Sequence, residues 1–146
     1  IMIDSNGLGI GCSRRLKQLL DGQAMEIVEV NVSANASDER VYYRLRDELW
    51  GRLKEEIRLQ SISLYDNEDE DLCGELSSPK YRVDGVIKVE SKVDMKKRGV
   101  KSPNIADAHI LTCYMPAEEY HLTDSANSAM LDNEEDYSPF DEEAGY

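Results

Sequence analysis

Two aspartates stand where a bare carboxylate is hard to explain as ordinary surface. Asp107 sits among Ile105, Ala106, Ala108, Ile110 and Leu111, in the run S-P-N-I-A-D-A-H-I-L. Ser102-Pro103 predicts a helix start, with Ser as the cap and Pro at the first helical position. Burying a carboxylate in so apolar a helix costs several kcal/mol unless a cation offsets it. A divalent metal ion is one such cation; an Asp on the solvent face of an ordinary helix is the plain alternative. Asp4 ends the run Ile1-Met2-Ile3 and opens a glycine-rich turn. In open α/β sheets, ligands collect at the carboxyl ends of strands, so Asp4 has a suitable address. Two acids about 100 residues apart that converge could hold the pair of ions that two-metal phosphodiester hydrolysis requires. Hard oxygen ligands suit Mg2+ or Mn2+. Just before the Asp107 helix, Lys92, Lys96, Lys97, Arg98 and Lys101 form a basic loop suited to grip DNA phosphates by charge, without reading sequence. His109, two residues past Asp107 and about 200° further round a helix, is expected off the site.

The elements that must position these residues follow from periodicity. Ile1 to Gly11 reads as the end of a buried strand entering a tight turn. Its G-x-G-x-G spacing departs from G-x-x-x-x-G-K-[ST], so the glycines serve the turn rather than a nucleotide phosphate. A helix is expected from about Ser13 to Leu20, with Leu16, Leu19 and Leu20 inward and Asp21-Gly22 as its stop. Met25 to Val32 alternates as a sheet strand does, and S-A-N-A-S is a loop placed over whatever Asp4 faces. Ser37 or Asp38 is expected to cap the longest helix, reaching Arg58, with Val41, Leu45, Leu49, Leu53 and Ile57 as its core stripe. That stripe holds no cofactor. The N-E-D-E-D run favours a helix dipole and opens a helix that turns Leu72 and Leu76 inward; the calcium-loop spacing is absent. Tyr81 to Val89 is a hairpin around Asp84-Gly85. The order is that of an α/β fold built on a sheet.

Composition bounds the rest. The 146 residues make one domain at most, long enough for a real core. The chain opens Ile-Met-Ile-Asp without an initiator methionine, which points to a boundary inside a longer protein. No apolar run approaches the roughly 18 to 20 residues that span a bilayer, and no signal-peptide pattern occurs. Cys12, Cys73 and Cys113 lack CxxC spacing, as expected of a reducing compartment without disulfide framework or zinc site. The net charge of −13 is uneven: residues 117–146 hold ten acids and no Lys or Arg, leaving 20 acids against 17 bases in residues 1–116. Lys80 to Lys101 carries eight bases and three acids. A basic edge followed by an acidic, aliphatic-poor tail suggests a polyanion-binding body, residues 1–116, and a disordered tail, residues 117–146.

Three segments carry a family resemblance: D-S-N-G-L-G-I-G at Asp4 to Gly11, R-D-E-L-W at Arg46 to Trp50, and V-E-S-K-V-D-M-K-K-R-G-V-K-S-P-N-I-A-D-A at Val89 to Ala108. Over about residues 1–113, the chain resembles the nuclease domain of tailed-phage terminase large subunits, whose fold is RNase H-like and whose task is to cut concatemeric viral DNA during packaging. The resemblance implies that Asp4 and Asp107 match the family's second and third catalytic acids and ligate two Mg2+ or Mn2+ ions. Asn104 stands where an Asp is commoner. It also implies a first acid on an earlier strand that this chain lacks, so the fragment alone is expected to be inactive. Double-stranded viral DNA, the portal protein, the small terminase subunit and an upstream ATPase domain are the implied partners, in the host cytoplasm and transiently at the procapsid portal. A resolvase- or transposase-type RNase H-like nuclease and a non-catalytic DNA- or partner-binding module are the alternatives.

Overall fold

In the computed structural model, β1 (Met2–Asp4) runs into α1 (Gly9–Leu19), which returns the chain to β2 (Val28–Val30), paired parallel to β1. The structure describes residues 1–62 and 70–115. Most of the N-E-D-E-D run and the acidic stretch 117–146 therefore lie outside the described residues. A helical crossover is what parallel pairing needs, since a two-residue turn cannot reverse the chain twice. The register sets Met2 against Val28, Ile3 against Glu29 and Asp4 against Val30, so Asp4 is the last paired residue of its strand. After β2 come α2 (Leu45–Arg58), α3 (Glu70–Ser77), the antiparallel pair β3 (Tyr81–Asp84) and β4 (Val86–Val89), α4 (Lys92–Lys97), α5 (Asn104–Ile110) and a 3-10 turn, Leu111–Cys113. Gly85, at φ 73°, makes the reversal between β3 and β4, as the Asp-Gly pair predicts. Among the described residues no helix is long and apolar enough to cross a membrane.

The core is the α2 stripe laid against β2 and the end of α5. Leu45, Leu49 and Leu53 recur at four-residue spacing and are buried together with Val30, Ile110 and Leu111. Each such side chain withdraws enough apolar area to contribute about 1.5–3 kcal/mol. Because Ile110 packs here, the helix carrying Asp107 is fixed to the same core as β2, the strand whose partner β1 ends at Asp4.

Several boundaries differ from expectation. The long helix starts at Leu45, not at Ser37 or Asp38. Val41 and Tyr43 instead exchange backbone bonds with Ile87, extending β4 at its edge. The β-branched and aromatic run Val41-Tyr42-Tyr43 suits that extended backbone better than a helix. Val41 and Ile57, expected in the core stripe, are exposed. In α1 the glycine turn is itself the first helical turn, and Leu19 points outward at 56% exposure. The strand expected over Met25 to Val32 is paired only from Val28 to Val30. The basic loop is in fact helical over Lys92–Lys97, because Ser91 accepts the Asp94 amide as its cap. The helix of Asp107 starts one residue later than expected, with Pro103 rather than Ser102 at its N-cap and no side-chain cap of its own.

Candidate active site

Asp4 and Asp107 line one cavity of about 290 Å³, together with Val32, Arg46, Lys92 and Asn104. Chain topology explains the meeting. β1 delivers Asp4 at its carboxyl end, and α5 is docked on the core beside β2.

At Asp4, one carboxylate oxygen accepts the Asn6 amide at 3.0 Å. Among the described residues, its other oxygen accepts no hydrogen bond. The turn that follows is possible only because residue 9 is glycine: a Cβ there would stand 1.6 Å from the Asp4 carbonyl oxygen. Gly9 is thus a steric requirement of the turn beneath Asp4. The loop after β2 does lie alongside, since the Asn6 side-chain amide donates to Ser33 Oγ at 3.2 Å.

Asp107 is 17% exposed and pairs with two cations. Arg46 Nη2 donates to its Oδ1 at 3.2 Å, and Lys92 Nζ lies 2.7 Å from its Oδ2. Arg46 is itself held, donating through Nη1 to the Glu90 carbonyl at 3.3 Å and stacking over the Trp50 ring. The carboxylate in the apolar helix therefore does have cationic partners, and both are protein side chains. Arg46 was not singled out by residue type. The signal was the charged first turn R-D-E, set between the core residues Leu45 and Leu49, whose members are all drawn inward. Asp47 Oδ2 accepts the Arg44 amide at 2.9 Å, and its Oδ1 accepts the Val89 amide at 2.8 Å, joining the start of α2 to the end of β4. Glu48 accepts from Ser37 N and Arg52 Nη2, both at 2.6 Å.

The basic residues divide. Lys92 faces the cavity. Lys97 pairs with Asp94 at 2.8 Å. Arg98 makes a two-bond fork on Glu90, at 2.9 and 2.6 Å, and also donates to the Ser78 carbonyl. That fork, chiefly the Arg98 hydrogen bonds, holds the Glu90 carboxyl below its usual range. Lys96 and Lys101 are exposed and make no ion pair among the described residues. His109 does not line the cavity. Among the described residues no group of three or more His, Cys, Asp or Glu side chains gathers as a metal cluster. Two carboxylates are fewer than the octahedral oxygen set Mg2+ demands. They still suit a hard divalent ion, because Asp107 already attracts two positive groups and Asp4 keeps an oxygen available.

No family model and no curated protein matches the chain. Solved structures do. The nuclease domain of the large terminase subunit gp2 of bacterial virus Sf6 is similar at a TM-score of 0.67 and 22% identity, over 80% of this chain and 65% of that one. A lysine-to-alanine mutant of that domain with manganese and beta-thujaplicinol gives 0.68 and 20% identity, over 80% and 65%. The mutant with manganese gives 0.66 and 19%, over 79% and 65%. The chain thus spans about two thirds of those domains, and its fold is theirs: the RNase H-like fold of the terminase nuclease.

Proposed function

We propose that this chain is the main part of a divalent-metal-dependent endonuclease domain of terminase type, cutting concatemeric double-stranded DNA during viral packaging. The observation that supports it is the convergence of Asp4 and Asp107 on one cavity, in a fold whose structural neighbours are nuclease domains solved with manganese. Bound divalent ions would supply an acidified attacking water and neutralise charge on the phosphodiester. Asp4 and Asp107 would hold them. The remaining coordination falls to water, DNA oxygens and the further acid that the family resemblance puts on a strand outside this chain. Arg46 fixes the Oδ1 edge of Asp107 in direction. Lys92, on a half-exposed stem, occupies the Oδ2 edge and can swing to a DNA phosphate when a metal takes its place. Lys96 and Lys101 would meet the DNA backbone by charge, and Lys97 after release from Asp94. Arg98 is better employed bracing Glu90 than binding phosphate. The portal, the small subunit and an upstream ATPase domain remain the proposed partners.

The test is plasmid cleavage by the protein carrying its upstream strands, with Mg2+ or Mn2+. Asp4→Asn and Asp107→Asn should each abolish cutting while DNA binding persists, because an amide keeps the shape and loses the charge. Normal cutting by either variant would remove that carboxylate from the site.

A further inference from the structure

The helix that presents Asp107 cannot cap itself. Its N-cap residue is Pro103, which offers no side-chain acceptor, and the Ser102 hydroxyl is engaged with Asn104 Oδ1 at 3.0 Å. The Asp107 amide makes the first bond within the helix, to Pro103 O at 2.8 Å. The amides of Ile105 and Ala106 therefore have no local acceptor, and a helix end left in that state is destabilised. Both are taken by one atom from another element: Glu75 Oε2 accepts Ile105 N at 2.6 Å and Ala106 N at 3.0 Å. A carboxylate is favoured there by the helix dipole as well.

We propose that Glu75 is a positioning residue for Asp107, gripping the amino end of α5 from α3 and so setting where the carboxylate points into the cavity. The gripped amide of Ala106 is next in the chain to Asp107, so little slack separates brace from ligand. Ala106 is fully buried, which leaves the helix end no room to drift. The far end of the brace is anchored too. Just past α3, the Ser78 carbonyl accepts from Arg98, and Arg98 is locked on Glu90. The segment from Glu90 through Arg98 and α3 thus forms a frame that reaches the amino end of the Asp107 helix through Glu75. This role rests on the nuclease reading, because only a metal site gives the aim of Asp107 a consequence.

The experiment uses the 146-residue chain with Glu75→Ala, Glu75→Gln and Glu75→Asp, read by two signals. One is amide hydrogen exchange at Ile105 and Ala106; the other is Mn2+ affinity, from paramagnetic broadening of amides around Asp107. Glu75→Ala should speed exchange at those two amides relative to the rest of the fold and weaken Mn2+ about tenfold, the usual scale for losing a group that orients a ligand. Gln retains an acceptor oxygen at the same reach and should restore both signals to near the parent values. Asp falls one methylene short and should behave like Ala, carrying the comparison should the Ala variant not fold. Faster exchange in Glu75→Ala or Glu75→Asp with unchanged Mn2+ affinity would overturn the role, leaving a cap and nothing more. So would a Gln variant as impaired as Ala. Asp107→Asn separates the two claims. If it leaves the Mn2+ signal unchanged, the nuclease reading fails and the positioning role with it. If it removes the signal while Glu75→Ala does not weaken it, the positioning role alone fails.

Discussion

At the scale of single residues, the Asp107 carboxylate is shared by Arg46 and Lys92, and the proposed metal would be a third cation on it. Lys92 and a metal ion cannot both take the Oδ2 edge of Asp107. Lys92→Ala should therefore tighten Mn2+ binding, about two- to fivefold by the worth of a half-exposed ion pair. Calorimetric titration at low salt checks it, and weaker binding would show that Lys92 helps assemble the site. Asp4 and Asp107 stand out in the sequence because each breaks an apolar run, a local anomaly that needs no tertiary structure to be seen; that both line one cavity is what the fold adds. The cation pair was not legible. Arg46 and Asp107 are 61 residues apart, and only the docking of α5 on the α2 core brings them together. The same packing turned Lys92 inward from a patch whose composition suggested only phosphate binding, and set Arg98 on Glu90.

At the scale of elements, the turn from β1 into α1 is the strictest. Gly9→Ala would press a methyl group against the backbone carbonyl of Asp4, which cannot swing aside as a long side chain could. It should destabilise by about 1–3 kcal/mol, the range for forced overpacking. Gly11→Ala meets nothing within 4 Å and should stabilise by about 0.5–1 kcal/mol through helix propensity. Urea unfolding of the two variants tests the pair, and equal effects would contradict the turn geometry. The brace from β4 to α4 has a pH signature. Because the folded Glu90 carboxyl lies below its ordinary value of 4.5, its contribution is complete above that value and lost as pH falls through the folded one. The parent should therefore lose stability toward acid more steeply than Glu90→Gln; parallel acid limbs in thermal melts would refute it. Elements with strong local chemistry were readable: the Asp-Gly hairpin and the Leu45-Leu49-Leu53 stripe. The start of the long helix was not. Four-residue apolar spacing extends back to Val41, but pairing with Ile87 draws that segment to the sheet edge. Likewise, no local pattern in α5 could disclose a cap supplied by α3.

At the scale of the whole molecule, charge is divided between a basic edge and the acidic residues 117–146. If those ten acids compete with DNA for the basic edge, their deletion should tighten DNA binding at low salt, and the gain should fade as the screening length drops below about 10 Å. Fluorescence anisotropy with and without residues 117–146 measures this; unchanged affinity would leave the acidic stretch a role in solubility or docking. In the proposed function, Asp4 and Asp107 serve one metal site. The most direct measurement is Mn2+-induced broadening of backbone amide resonances in the 146-residue chain. Amides of Ser5 and Asn6, beside Asp4, should broaden at the same Mn2+ concentration as those of Ala106 and Ala108, and Asp107→Asn should suppress both sets together. Broadening confined to residues 117–146, or of one set without the other, would contradict it.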